Sequence, residues 1–237
     1  MDEAHATNLP RIPVRRGRLF AHALGNVLLG LAIGIACYYL ATDLLAGWRQ
    51  NQLRSEAGGL DVMTVADPAT LLDQSIDAMD FGEWEESDVA YWQSLAEGGI
   101  FGRLVIDRIR LDTLVVKGHS RATLKKGPGW IDYTDLPGAS GNAGISGHRT
   151  TYGAPFRALD TVRTGDTIDL YSPFRRYRYE VFRVFTVTPD QVEVVDPTIE
   201  PQLTLTACHP PYSARQRLIV QARLVEVRRV VDAVSKQ

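Results

Sequence analysis

The apolar residues of this chain follow two different patterns, one near the N-terminus and one in the C-terminal half. From Ala23 to Ala41 nineteen consecutive residues carry no charge. From Phe101 onward, apolar residues alternate with polar ones, and β-branched and aromatic residues are enriched. The first pattern is typical of a membrane-length helix and the second of β-strands. The chain is therefore predicted to carry one long apolar helix and, after a spacer, a β domain.

The alternating region predicts a set of short strands separated by turn signals that contain Gly and Pro. Many short strands with few helix-length periodic windows argue for a closed or nearly closed antiparallel barrel with short helices. The predicted strands are Phe101–Ile106, Leu111–Lys117, Ala143–Ser146, Thr167–Tyr171, Tyr177–Thr188, Gln202–Cys208 and Arg217–Val227.

The apolar run favours an uncleaved transmembrane anchor. A helix of that length spans about 28 Å, close to the hydrocarbon thickness of a bilayer. A cleaved signal peptide is the alternative, but the run exceeds a typical signal-peptide core and no clear cleavage site follows it. A buried helix of a soluble protein would need protein surfaces on all of its sides. Arginines cluster before the run, which predicts a cytoplasmic N-terminus; these are Arg11, Arg15, Arg16 and Arg18.

The segment between the anchor and the strands is acidic. From Glu56 to Glu97 there are eleven Asp and Glu residues and no Lys or Arg. Short helices are predicted to begin in 67–72 and 87–92. The segment is interpreted as a solvated extracellular stalk, or alternatively as a segment that docks on the β domain through Trp84, Tyr91 and Trp92. The predicted division is 1–20 cytoplasmic, 21–46 transmembrane, 47–99 stalk, 100–229 catalytic barrel and 230–237 tail.

Cys208 is the candidate for reactive chemistry. The other cysteine, Cys37, lies inside the apolar run, so no internal disulfide is plausible. Because Leu203 and Leu205 are expected to face the core, Ala207 faces it too and Cys208 points the other way. Prolines follow the cysteine, so the chain leaves the sheet there and exposes the thiol at a barrel rim. A buried core cysteine is the alternative.

His148 and Arg217 are the candidates to assist this thiol. A thiol becomes a nucleophile near neutral pH when a neighbouring imidazole or cation favours the thiolate. His148 follows a predicted strand that ends in Gly147, and Arg217 begins the strand after the cysteine loop. A guanidinium there could hold substrate or stabilise a developing oxyanion. A lone histidine is more often structural, and three arginines are rivals, namely Arg149, Arg215 and Arg223.

Composition excludes several other classes of protein. The net charge of −2 argues against a nucleic-acid binder. No group of His, Cys or carboxylate residues has metal-ligand spacing, and no glycine-rich phosphate loop joins a strand to a helix. Neither a metal nor a cofactor is therefore expected.

Two sequence motifs resemble those of the sortase family. The segment LTLTACHPPYSARQRLIV from Leu203 resembles the family's Thr-Leu-x-Thr-Cys signature with the following arginine, and GHRTTYGAPF from Gly147 resembles its histidine region, as found in class E sortases. The resemblance covers about residues 101 to 227 and includes the N-terminal anchor. It differs at Ala207, where the family has threonine.

This resemblance implies a sortase β-barrel and a cysteine transpeptidase. Cys208 would attack the Thr–Gly carbonyl of an LPXTG-like or LAXTG-like sorting signal on an exported protein. His148 would act as general acid and later as base, and Arg217 would position substrate and stabilise the oxyanion. Thr206 and Ala207 would contact the substrate. The acyl acceptor would be an amine of the peptidoglycan precursor or a pilin lysine.

Two other functions remain open at this point. An L,D-transpeptidase also uses cysteine and histidine, but it carries its histidine within a few residues of its cysteine, a pattern absent here. A non-enzymatic binding module on a stalk, with an inactive barrel, is the second alternative.

Overall fold

The computed structural model describes residues 14–59, 71–72, 81–138 and 140–230, with side chains for 20–58, 87–138 and 140–228. Residues 1–13 of the predicted cytoplasmic segment and 231–237 of the predicted tail lie outside these ranges. The chain divides into two compact units, Met1–Ala41 and Thr42–Gln237.

The described residues form two α-helices and nine strands. The helices are α1 (Val14–Glu56) and α2 (Phe81–Ser94). The strands are β1 (Leu71–Leu72), β2 (Ile100–Ile106), β3 (Leu111–Lys117), β4 (Gly129–Trp130), β5 (Asn142–Gly147), β6 (Thr167–Tyr171), β7 (Arg175–Val187), β8 (Gln202–His209) and β9 (Gln216–Val230).

Eight of the strands close into a barrel. Their order is β9-β7-β6-β2-β3-β4-β5-β8, and β8 pairs back onto β9, while β1 pairs with the far end of β9. This confirms the predicted mainly β barrel. Most pairings are antiparallel, but β3 with β4 and β5 with β8 run parallel, a difference that strand alternation alone does not reveal.

Helix α1 is the one helix in the described part of the chain that is long and apolar enough to cross a membrane. The span Phe20–Glu56 contains a window of mean hydropathy 1.8 that is fully exposed. After Ala41 the pattern changes, because buried residues recur at spacings of four and seven positions and form one stripe. The buried members of this stripe are Thr42, Ala46, Leu53 and Ala57.

This stripe places the end of α1 on the barrel. Leu53 and Ala57 form a buried cluster with Ile100, Leu114 and Val116. Helix α1 therefore extends beyond the predicted anchor into the segment predicted to be a stalk. There it packs against strands β2 and β3.

Helix α2 also packs on the barrel. The Trp92 ring stacks on Phe101 with centroids 5.1 Å apart, and Phe101 stacks on Trp130 at 5.0 Å. Trp92 donates a hydrogen bond to the Phe101 carbonyl at 2.8 Å. The helix begins at Phe81 rather than near Ser87. Of the predicted helix over 67–72, only 71–72 are described, and they form β1.

A buried ion pair joins α2 to the barrel beside this aromatic stack. The Asp88 carboxylate, which is 0% exposed, accepts from the Arg175 guanidinium at 2.6 Å and from the Tyr177 hydroxyl at 2.8 Å. Replacing only one member of a buried pair leaves the other charge without compensation.

We therefore predict that Asp88→Ala lowers the free energy of unfolding by about 3–5 kcal/mol, measured by urea unfolding followed through tryptophan fluorescence. The double variant Asp88→Leu/Arg175→Met should recover much of the loss, because it removes both charges. Arg108→Ala, which breaks an exposed pair with Asp166, serves as the control with little effect. Equal losses in Asp88→Ala and Arg108→Ala would contradict the proposed role of the buried pair.

Candidate active site at the barrel rim

Strand β8 lies between β5 and β9, and its register with both builds the candidate site. Thr206 is opposite Ser146 of β5 and Ile219 of β9, so these side chains form one row across three strands. Cys208, two residues further along β8, is opposite Arg217. Residues two apart on a strand face the same side of the sheet, so Cys208 and Arg217 form the next row on that face.

His148 completes this second row. Gly147 is opposite Ala207 in the parallel β5–β8 pairing, so His148 follows at the level of Cys208. Neighbouring strands lie about 4.8 Å apart. The structure thus brings the backbones of His148, Cys208 and Arg217 together at one rim, where β5 and β8 end and β9 begins.

The burial of β8 shows which face this row occupies. Leu203 and Leu205 are 0% exposed, and Ala207 is 2% exposed, all within the core cluster. Thr206 and Cys208 are half-buried. The Cys208 thiol therefore lies on the outer face of the barrel. Both cysteines are within the described residues, and neither forms a disulfide.

Gly147 allows β5 to end closely against the next loop. A Cβ at this position would lie 2.5 Å from the Phe156 ring, far inside contact distance. The Phe156 amide also donates to the His148 carbonyl at 3.0 Å, which closes the loop 148–156 onto the histidine. A side chain at Gly147 would therefore displace the loop that carries His148.

The imidazole of His148 is half-buried and lies beside Tyr152, with ring centroids 5.2 Å apart. Within the described part of the chain, no hydrogen-bonding partner satisfies its buried Nε2 atom. Burial lowers the pKa of His148 below its ordinary value of 6.5, and the positive charge of Lys125 lowers it further. The neutral imidazole is therefore favoured, with a nitrogen left free for a substrate or thiol.

Arg217 is positioned by the connection between β8 and β9. Its guanidinium donates to the carbonyls of Ala214 at 3.1 Å and Gln216 at 3.2 Å. No carboxylate of the described residues forms an ion pair with it. Its charge is therefore available to an anionic or carbonyl group at the rim.

The rival arginines are engaged elsewhere or lie apart. Arg149 is buried, with an ion pair to Asp160 at 2.6 Å and a hydrogen bond to Nδ1 of His209 at 2.7 Å. Arg223 lies over the Phe182 ring at 5.2 Å. Arg215 is exposed on the β8–β9 connection, beside an open depression of about 910 Å³. The Arg149–His209 contact was not anticipated, because its partners are sixty positions apart.

A groove of about 270 Å³ runs along the outer face to this row. One wall is apolar and comes from the segment after β7, while Thr206 and Arg217 border its end nearest to Cys208. Thr206 lines the groove, whereas the side chain of Ala207, which was also expected to contact the substrate, lies in the core and does not line it. The lining residues are His119, Ile131, Tyr133, Ser146, Val187, Pro189, Gln191, Val192, Val194, Val195, Thr206, Arg217 and Ile219.

The polar corner of the groove holds a histidine that sequence reasoning missed. The Nδ1 atom of His119 lies 2.9 Å from a carboxylate oxygen of Asp132, and the imidazole packs edge-on against Tyr133 with ring centroids 5.3 Å apart. Its position in a loop gave no strand or motif signal. Among the described residues no cluster of His, Cys, Asp or Glu is arranged to hold a metal ion.

Comparison with known proteins identifies the family. The family model of the sortase domain matches residues 104–225. Sortase SrtE1 of Streptomyces coelicolor is 34% identical over 105 residues, and sortase A of Bacillus anthracis is 29% identical over 151 residues. The first match covers 40% of this chain and 30% of the relative, and the second covers 63% and 71%. This chain thus spans less than a third of the length of SrtE1.

Solved structures agree with the sequence matches. Sortase E from Streptomyces avermitilis is 32% identical, with a TM-score of 0.52, and the match covers 57% of this chain and 93% of that one. Sortase E1 from Streptomyces coelicolor is 28% identical, with a TM-score of 0.53 and coverage of 56% and 91%. The predicted resemblance to class E is confirmed, and the chain belongs to the sortase family of cysteine transpeptidases.

Proposed function

We propose that this protein is a membrane-anchored transpeptidase that cleaves a C-terminal sorting signal of the LPXTG or LAXTG type between Thr and Gly. It holds the acyl part as a thioester on Cys208 and transfers it to an amine of the cell wall. The observation that carries the proposal is the row of His148, Cys208 and Arg217 across three paired strands at the end of a groove of about 270 Å³.

The first step is attack of the Cys208 thiolate on the carbonyl carbon of the signal threonine. Negative charge then develops on the carbonyl oxygen. The Arg217 guanidinium on the neighbouring strand lies on the same face and stabilises that charge. Because its position is held by two backbone carbonyls, little reorganisation is needed when the charge appears.

His148 donates a proton in the first half of the reaction and accepts one in the second half. Its protonated imidazole donates to the nitrogen of the leaving glycine, so that the C–N bond breaks and a thioester remains. The neutral imidazole then accepts a proton from the incoming amine, which attacks the thioester and releases the thiolate. The unpartnered Nε2 atom is the nitrogen available for this transfer.

The groove supplies the binding surface for the signal. Its apolar wall suits the apolar residue that opens the motif, and Thr206 lies next to the position of the scissile bond. Ala207 contributes through its backbone, since its side chain is in the core. The related sortase E1 structure holds a tripeptide in its active site, which supports peptide binding on this type of barrel.

The location follows from α1 and the flanking charges. The apolar run anchors the protein, the arginine-rich N-terminus remains in the cytoplasm, and the barrel lies outside the cell. There it meets exported proteins that carry a sorting signal. The acceptor is the amine of a peptidoglycan precursor or a lysine of a pilin subunit.

The central test uses the full chain in detergent and sorting-signal peptides with Pro or Ala at the second motif position. Mass spectrometry should detect a thioester adduct on Cys208 in the wild type and none in Cys208→Ala. His148→Ala and Arg217→Ala should lower kcat/KM by about 100-fold or more while leaving the thermal midpoint nearly unchanged. Cleavage by Cys208→Ala, or an adduct at another residue, would refute the assignment.

A second prediction concerns the environment of His148. Lys125→Gln removes a positive charge that disfavours the imidazolium, so the pKa of His148 should rise toward 6.5. The measurement is an NMR titration of the full chain with labelled histidine, with the His148 signal identified through His148→Gln. Lys126→Gln is the matched control and should leave this pKa unchanged. A pKa that does not move in Lys125→Gln would contradict the charge effect.

The orientation in the membrane gives a third prediction. In intact cells, a membrane-impermeant thiol reagent should label Cys208, and an antibody should reach an epitope tag at the N-terminus only after permeabilisation. Cys208→Ala controls for labelling elsewhere. Surface exposure of the N-terminal tag would show that the orientation is the reverse.

A further inference from the structure

We propose that the segment Thr42–Glu56 of α1 positions the loop that carries His148, and that Asp43 is the positioning residue. The proposal rests on the proposed function of His148, since it gives the end of the helix a part in arranging that residue. It concerns only contacts within the unit that holds the barrel.

Asp43 contacts the tip of the His148 loop directly. One carboxylate oxygen accepts a hydrogen bond from the Gly153 amide at 3.1 Å, and the other lies 3.6 Å from the Arg157 guanidinium. The next turn of the helix also reaches the loop, because a Cβ at Gly153 would lie 3.2 Å from Cβ of Ala46. Helix and loop tip are thus in contact at two positions about one helical turn apart.

The loop tip is a conformation that needs such support. Tyr152, Gly153 and Ala154 have φ angles of 53°, 77° and 42°, all in the left-handed region. Residues with side chains are unfavourable in this region, and such strain persists only where surrounding contacts enforce it. The hydrogen bond from Asp43 holds the central residue of this run.

The loop fixes both the backbone and the imidazole of His148. The backbone is tied by the Phe156 amide, which donates to the His148 carbonyl at 3.0 Å. The imidazole is in contact with the Tyr152 ring, whose plane is tilted by 39° to it. A shift of the loop tip would therefore move the ring that packs on the imidazole.

A second residue of the same helix holds the other side of this arrangement. The Gln50 amide donates to the Lys126 carbonyl at 2.8 Å, and its oxygen accepts from the Leu114 amide at 3.0 Å. The neighbouring Lys125 extends its ammonium group over the Tyr152 ring, 5.5 Å from the centroid. Asp43 and Gln50 thus hold the two segments that meet over Tyr152, next to His148.

The charged and titratable groups around His148 come from several elements. Lys125 comes from the 123–125 turn, Tyr152 from the loop itself, and Cys208 and Arg217 from β8 and β9. Asp43 makes its contacts with Gly153 and Arg157, so it acts on His148 through the loop.

The experiment compares three variants of the full chain in detergent micelles. Asp43→Ala should lower kcat about ten- to a hundred-fold, because a misplaced proton donor is inefficient, with KM nearly unchanged since Asp43 does not line the groove. Asp43→Asn keeps an oxygen that can accept from Gly153 and should restore most activity. Arg54→Ala breaks a contact of the same helix with Asp112, away from the loop, and should behave as wild type.

A histidine NMR titration distinguishes a positioning role of Asp43 from a purely structural one. In Asp43→Ala the pKa of His148 should rise toward its ordinary value, since the loop and Lys125 no longer pack as closely around the imidazole. This measurement needs no peptide, so it stays informative even if no sorting signal is cleaved, a result that would defeat only the proposed function.

Three results would overturn the proposal. The first is a lower thermal midpoint in Asp43→Ala without a change in kcat or in the His148 titration, which would reduce Asp43 to a structural contact. The second is an equal loss of activity in Arg54→Ala. The third is a failure of Asp43→Asn to recover activity relative to Asp43→Ala.

Discussion

The site depends on the register of β8 between a parallel and an antiparallel neighbour. The parallel partner β5 ends at the same rim as β8, and the antiparallel partner β9 begins there. Residues 148, 208 and 217 meet only because of this combination. Since side chains alternate along a strand, a slip of one residue would turn Cys208 into the core and Ala207 outward. The juxtaposition of these three residues therefore depends on the pairing of β8 with both of its neighbours.

Buried polar contacts lower on the same strands hold that register. The Thr204 hydroxyl, 0% exposed, donates to the Asn142 side chain at 2.8 Å, and the Asn142 amide donates to the carbonyls of Val194 and Asp196 at 3.1 Å. A shift of either strand would leave these groups buried without partners. The same contacts fix the segment that forms the apolar wall of the groove. Along one face of β8, Thr204 therefore holds the register, Thr206 lines the groove, and Cys208 lies at its end.

The barrel and the candidate cysteine could be predicted from the sequence, whereas most of the contacts around the site could not. Alternation identified all the longer strands, but the two-residue β4 has no periodicity to read, and nothing local marks β5 and β8 as parallel. The orientation of Cys208 followed from the core pattern of Leu203 and Leu205. His148 and Arg217 were placed by motif and strand order, whereas Asp43 and Gln50 act over long sequence separations in a segment interpreted as anchor or stalk.

The environment of His148 affects both how readily its imidazolium gives up a proton and what fraction of the protein carries that proton. Burial and Lys125 lower its pKa, so a protonated imidazole transfers its proton more readily to a leaving nitrogen, but fewer molecules carry that proton at neutral pH. In the proposed mechanism, the unprotonated majority suits the second half-reaction, in which the imidazole accepts a proton from the attacking amine. A looser loop would raise the pKa of His148, so a larger fraction would be protonated and a smaller fraction would be available as the neutral base. Under the proposed function, the strained tip at 152–154 and its contact with α1 therefore support transfer to an amine as well as cleavage.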